Sequence, residues 1–223
     1  MIKRELYMNR IRPFIGGELI KVMTGIRRSG KSVMLELIKE ELAEAGVAPS
    51  QMISINFEDM RYSHLQTATA LHDEIIKRAE GIEGKAYLFF DEIQEVEGWE
   101  KCVNSLRVAL DCDIYITGSN AKLLSGELAT YIGGRYVEFV IYPFSFAEFL
   151  ELYHTIAPSD SIQQCFQKYL LAGGMPYLAN LRYEEEPSRQ YLTDLFNSVQ
   201  LKDIVKRNKV RDVDLLERIL AYV

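Results

Sequence analysis

Gly25-Ile26-Arg27-Arg28-Ser29-Gly30-Lys31-Ser32 decides how the rest of this chain is read. The stretch fits the pattern G-x-x-x-x-G-K-[ST] of a phosphate-binding loop. Its surroundings are those such a loop needs. Leu19-Ile20-Lys21-Val22-Met23 reads as a short buried strand, and the amphipathic run opening at Val33-Met34-Leu35 predicts a helix to about Ala45. The two glycines let the backbone wrap with its N–H groups inward, and the helix N-terminus adds partial positive charge. A polyphosphate would be lined by every residue of the loop and by Val33 after it. Lys31 is expected to reach the β- and γ-phosphates, and the Ser32 hydroxyl to hold Mg²⁺. The bland alternative is a glycine turn joining a strand to a helix.

Lys85-Ala86-Tyr87-Leu88-Phe89-Phe90-Asp91-Glu92 is the second informative stretch. An apolar run, read as a buried strand, ends in two carboxylates, and burying adjacent charges is unfavourable unless something pairs them. Downstream of a phosphate loop, Asp91 is expected to face the Mg²⁺, through water or through Ser32. Glu92 is then placed to align and deprotonate an attacking water. Alone, the pair could simply cap a strand.

A further strand, Asp113-Ile114-Tyr115-Ile116-Thr117-Gly118, leads into Ser119-Asn120. Asn120 or Ser119 could orient the water or touch the γ-phosphate, and either could instead cap a helix at 121–130. Gly133-Gly134-Arg135-Tyr136 precedes the last strand, 137–141. Arg135 is the best candidate for a cation that stabilises the transition state in a neighbouring subunit, with Arg27 and Arg28 as rivals and an ordinary surface arginine as the alternative.

Composition bounds the answer. A chain of 223 residues forms one large domain or two small ones. Apolar residues at 48% and charged residues at 26% are ordinary for a globular protein. A net charge of −6 gives no overall attraction for nucleic acid. No apolar run is long enough to span a membrane, and the first ten residues lack the apolar core of a signal peptide. Cys102, Cys112 and Cys165 lack metal-ligand spacing and read as reduced thiols of a cytoplasmic protein. His64, His72 and His154 are scattered and read as structural or surface residues.

Residues 3–12 carry helical spacing that Pro13 ends. This segment reads as a helix on the domain edge, with Ile11, Pro13 or Phe14 as candidates to border an adenine. Residues 51–57 read as a strand whose polar end, Glu58-Asp59-Met60-Arg61, either touches the site or is a solvated loop. Residues 68–80 and 99–110 read as helices. Tyr142 to Leu150 turns into an aromatic-rich helix. From about 155 strands stop, and helices are expected at 161–171, 187–207 and 212–222, broken at Gly173-Gly174-Met175-Pro176. The boundary is expected near Ala157, giving domains 1–157 and 158–223. Leu215, Leu216, Ile219, Leu220 and Val223 share one side of the last helix, which suggests that the chain continues beyond residue 223.

Together these motifs resemble the prokaryotic AAA-type ATPases that carry a C-terminal domain of unknown function. The resemblance covers essentially the whole chain. It rests on the loop, on Ile55-Asn56-Phe57-Glu58-Asp59, on Phe89-Phe90-Asp91-Glu92-Ile93-Gln94 and on Thr117-Gly118-Ser119-Asn120. Two segments are more specific to the family: Pro143-Phe144-Ser145-Phe146-Ala147-Glu148-Phe149 and Tyr169-Leu170-Leu171-Ala172-Gly173-Gly174-Met175-Pro176. The resemblance implies an α/β fold of the P-loop NTPase type, with a five-stranded parallel sheet in the order 5-1-4-3-2. It also implies a helical extension that begins a winged-helix-like lid, commonly followed by a nuclease-like domain. No second arginine matches a lid sensor securely. The implied function is ATP hydrolysis with Mg²⁺, using Lys31, Glu92, Asn120 and Arg135, to drive a rearrangement that acts on a partner. A slow nucleotide-gated switch, linked to DNA, is the alternative. A phosphotransferase fits less well, because no acceptor-binding arginine lid follows the second strand. Expected partners are ATP and ADP, further copies of the chain, and a DNA or protein client met through a region beyond residue 223.

Overall fold

The apolar runs of the three central strands are covered on both faces. The computed structural model describes residues 2–118, 132–199 and 218. Five strands form one sheet: β1 (Ile20–Thr24), β2 (Met52–Asn56), β3 (Ala86–Asp91), β4 (Cys112–Thr117) and β5 (Tyr136–Val140). Their order is β2-β3-β4-β1-β5, and every neighbouring pair is parallel. This is the expected order read from the other edge. β4 lies between the loop strand and the Asp91 strand, so all three C-terminal ends open on one edge, where open α/β sheets bind ligands.

Alternation along the strands divides the core. Val22, Leu88, Phe90, Ile114 and Ile116 face α3 (Ala68–Ala79) and α4 (Trp99–Ala109), meeting Leu71, Ile75, Val103 and Leu106. Met23, Phe89, Tyr115 and Phe139 face the other way, onto Met8 and Ile11 of α1 (Glu5–Ile11) and Met34, Ile38 and Leu42 of α2 (Lys31–Glu44). Phe89 and Tyr115 stack at 4.8 Å between ring centres. Truncating a ring buried this fully costs about 3–5 kcal/mol.

One polar knot lies under α2. Lys21 on β1 is ion-paired with Asp113 on β4, and both side chains are fully buried. Tyr115 Oη and the Gly16 amide also donate to Asp113, at 2.7 and 2.6 Å. Burial pulls the Lys21 ammonium pKa down against the attraction of Asp113. Each donor is matched, which is the condition on which a buried ion pair is tolerated.

Local rules set the helix ends. Thr67 caps α3 through the Ala70 amide. The N-terminal helix ends at Ile11, ahead of Pro13, which sits in the following 3-10 turn, Arg12–Phe14, where its missing N–H is harmless.

The chain divides into two compact units, Met1–Glu148 and Phe149–Val223, within α5 (Phe146–Tyr153). The second unit holds α6 (Ile162–Ala172), opened by a Ser161–Gln164 capping box, and α7 (Glu185–Val199). Gly173 follows α6 with a φ of 75°, which suits glycine, and Pro176 opens a 3-10 turn. Phe149, Tyr153 and Tyr183 form the unit's aromatic centre, with Phe149 5.1 Å from Tyr153 and 5.0 Å from Tyr183. The expected helix at 121–130, the expected continuation of α7 to 207 and, apart from the helical residue 218, the expected helix at 212–222 lie outside the described residues. Among those described, no helix is long and apolar enough to cross a membrane.

Candidate functional site

The loop leaves β1 at Thr24 and turns at once. Gly25 has a φ of 144°, and a Cβ built there would lie 2.2 Å from the Ile141 carbonyl oxygen. Only glycine fits between the loop and the end of β5. Gly30, with a φ of 101°, is the residue before α2, and its absent Cβ would stand 3.3 Å from Arg4 Nη1. The first-turn amides of α2 therefore open on the loop with no side-chain cap over them. Two loop donors, Arg27 Nε and Ser29 Oγ, are buried without a hydrogen-bond partner. An anion would satisfy such orphans.

Lys31 is nearly fully buried at the head of α2. Its Nζ donates to the carbonyls of Gly25 and Ile26 at 3.4 and 3.3 Å and lies 3.9 Å from Glu92 Oε1. Burial lowers its pKa from the ordinary 10.5, while the charges of Glu92 and then Asp91 pull it back up. Ser32 and Val33 follow it, both exposed.

Asp91 and Glu92 end β3 as expected and are held by a residue on the neighbouring strand. The Thr117 hydroxyl donates to Asp91 Oδ1 and accepts the Glu92 amide at 3.0 Å. Glu92 turns off the strand with left-handed backbone, φ 54° and ψ 46°, a conformation non-glycine residues adopt where surroundings enforce it. Gln94 Nε2 donates to Glu92 Oε2 at 2.5 Å. The structure thus gathers the loop, Lys31, Asp91 and Glu92 at one sheet edge.

Other expected positions fall elsewhere. Asn120 and Ser119 lie outside the described residues. Arg135 is exposed and donates to Asn104 Oδ1 on α4 at 2.9 Å. Its carbonyl accepts the Ile20 amide, so it stands where β1 begins, a strand length of about 16 Å from the loop end. It is not part of its own chain's site. Ile11 is fully buried in the core, and Arg12 pairs with Glu41, ten residues beyond Lys31 and about 15 Å along α2. Phe14 packs edge to face on Phe139, which pairs with Met23 close to the end of β1. Asp59 caps the 3-10 helix Met60–Leu65 and pairs with Arg61, as a solvated loop would.

Three residues that hold the site were not legible as such. Period-two alternation could have put Thr117 on the face of Asp91, but a lone strand threonine carries no signal of its own beside Ser119 and Asn120. Gln94 follows the acid pair without any distinguishing spacing. Arg4 reads as one basic residue of a helix on the domain edge, yet it is 2% exposed.

A family model described as "AAA domain" matches residues 18–150. An uncharacterised protein of Haemophilus influenzae is 40% identical over 224 residues, covering 100% of this chain and 55% of that protein. An uncharacterised protein of Methanocaldococcus jannaschii is 33% identical over 203 residues, covering 87% and 44%. The chain spans about half the length of these relatives. Among solved structures, AMPPCP-bound DnaA from Aquifex aeolicus aligns with a TM-score of 0.51 and 13% identity, over 99% of this chain and 68% of that one. A RuvB mutant from Thermotoga maritima aligns at 0.53 and 14%, over 95% and 72%. These two likenesses bear on the fold alone. The family match takes in the loop, the Asp91–Glu92 strand end and all five strands, and the chain therefore belongs to the AAA domain family, built on the P-loop NTPase fold.

Proposed function

We propose that this chain binds ATP and hydrolyses it, and that hydrolysis changes the state of a partner. The observation that carries the reading is the convergence of Lys31, Asp91 and Glu92 beside a loop with open amides and two unsatisfied donors. The AMPPCP bound to DnaA, a protein of the same fold, supports an adenine nucleotide as the ligand. Lys31 would swing from the loop carbonyls to the β- and γ-phosphates. Glu92 would take a proton from water as the water oxygen bonds to the γ-phosphorus. The bridge to the β-phosphate would break and ADP would leave. Gln94 would hold one oxygen of Glu92 and leave the other for the water.

Ser32 and Asp91 are the residues that would hold Mg²⁺. Among the described residues no group of three or more His, Cys, Asp or Glu could hold a metal. That donor set suits an ion carried on the nucleotide's phosphates, as Mg²⁺ commonly is. When bound, it would neutralise charge on the phosphates.

Asn120 is proposed as a further contact to the γ-phosphate. Arg135, remote from its own loop, would act in a second copy of the chain, so activity would require assembly. Residues 158–223 would form a lid. A DNA or protein client would be met through the part of the longer relatives that this chain does not span. Three buried free thiols suit a reducing compartment such as the cytoplasm, and burial pushes Cys102 up to about 12 and Cys112 to about 11, far from reactive thiolates.

A slow switch is favoured as the second reading by one observation: Lys31 is turned onto loop carbonyls and Glu92 is engaged by Gln94, so both must rearrange before turnover. Phosphate release from Mg·ATP, measured against protein concentration, separates the two. A per-chain rate that climbs with concentration supports an assembled ATPase. A flat, near-zero rate with firm ATP binding supports the switch, and no binding at all sinks both.

A further inference from the structure

Arg4 is buried, 2% exposed, and its guanidinium is engaged on every nitrogen. Its Nη1 donates to the Ser29 carbonyl of the loop at 3.0 Å, and its Nη2 to the Tyr142 carbonyl just past β5 at 2.8 Å. Its Nε meets Glu148 Oε1 at 2.8 Å. The guanidinium lies 4.6 Å from the Tyr7 ring centre and 5.2 Å from that of Phe144. Glu148 is itself oriented by the Ser145 amide and hydroxyl, at 2.8 and 2.9 Å. Arg4 adopts left-handed backbone, φ 47° and ψ 48°, which a non-glycine residue keeps only where its contacts over-determine it.

The Ser29 carbonyl belongs to the peptide whose other end is the Gly30 amide. Fixing that carbonyl outward fixes the amide inward, toward the space a phosphate would fill. Gly30 permits the approach, since a side chain there would crowd Arg4 Nη1. A planar fork that reaches a carboxylate and two carbonyls at once is a task for arginine and not for lysine, whose charge is a single point.

We propose that Arg4 is a positioning residue, which sets the phosphate-binding loop in its anion-receiving shape before any ligand arrives. It draws its own orientation from Glu148. The inference rests on the reading of the loop as a nucleotide site, but it has a test that needs no nucleotide.

Hydrogen exchange at the loop amides of residues 26–33 is followed by mass spectrometry in the nucleotide-free protein, alongside binding of a fluorescent ATP analogue. The variants are Arg4→Met/Glu148→Gln, which removes both buried charges together, and Arg4→Lys, which keeps the charge but loses the fork. Arg4→Met/Glu148→Gln is expected to exchange at least about tenfold faster in the loop peptide, with the β3 and β4 peptides unchanged, and to bind the analogue about tenfold or more weakly. Glu148→Gln alone, which keeps the hydrogen bond from Arg4 to Ser29, is expected to lose less. Arg4→Lys is expected to fall between. Loop exchange at the wild-type rate in any folded Arg4 variant overturns the proposal. So does failure of both Arg4 variants to fold, which would make Arg4 a core strut. Wild-type protein that fails to bind the analogue would defeat the nucleotide reading, while the exchange measurement would still decide the role of Arg4.

Discussion

Thr117 and Asp91 are joined side chain to side chain across neighbouring strands, and the same Thr117 hydroxyl takes the Glu92 amide at 3.0 Å. One small residue therefore fixes both acids of the site: Asp91 by its carboxylate and Glu92 by its backbone. Its burial makes the hydrogen bonds hard to replace with water.

Replacing Thr117 with Val keeps the shape and the branching but removes the hydroxyl. The Asp91 carboxylate then loses a donor and the Glu92 amide an acceptor. Turnover should fall by about tenfold to a hundredfold, matching about 1–3 kcal/mol, with ATP affinity within about threefold of wild type. Steady-state kinetics with a separate binding titration checks this. Unchanged kcat would show that Thr117 does not govern the acids.

Gly25→Ala and Gly30→Ala should differ in severity. A Cβ at Gly25 meets backbone at 2.2 Å, whereas at Gly30 it meets the tip of Arg4 at 3.3 Å. Both also force positive φ on a side chain, at about 1 kcal/mol or more. Gly25→Ala should destabilise the protein by more than about 2 kcal/mol and abolish nucleotide binding. Gly30→Ala should be milder on stability and weaken binding. Urea denaturation of each variant ranks them, and the reverse order would contradict the geometry.

The strands and the loop were legible because short apolar runs and a glycine-bounded motif are local signals, whereas the strand order followed only from the family resemblance. Asp91 and Glu92 were legible because two acids after an apolar strand need an explanation. Arg4 was not, because its partners lie at Ser29, Tyr142 and Glu148, far apart in sequence. Thr117 looked like any strand threonine until β4 was laid against β3. Arg135 could be singled out by its glycine-flanked turn, but its distance from its own loop follows only from the sheet register.

Acid should loosen the grip on Arg4. Burial raises the Glu148 pKa, but hydrogen bonds from Arg4 and Ser145 outweigh it and hold the carboxyl below its ordinary 4.5. As pH falls, the unfolded chain takes up this proton first. The stability that Glu148 supplies is therefore complete above about pH 4.5 and is lost as pH drops through the folded value. Glu148→Gln should lower stability near neutrality by about 3 kcal/mol, since it leaves Arg4 buried without its counter-charge. Its further loss between neutrality and pH 3 should be shallower than in wild type. Urea midpoints across that range report it, and parallel acid limbs for the two proteins would refute the assignment.

The central claim is that Glu92 activates the water that attacks ATP in this loop. Replacing it with Gln keeps the size and the polar contact near Gln94 but removes the base. ATP binding by Glu92→Gln, from a titration with Mg·ATP, should stay within about threefold of wild type. Phosphate release under the conditions that give the highest wild-type rate should fall by about a hundredfold or more. A Glu92→Gln protein that releases phosphate at the wild-type rate would contradict the account.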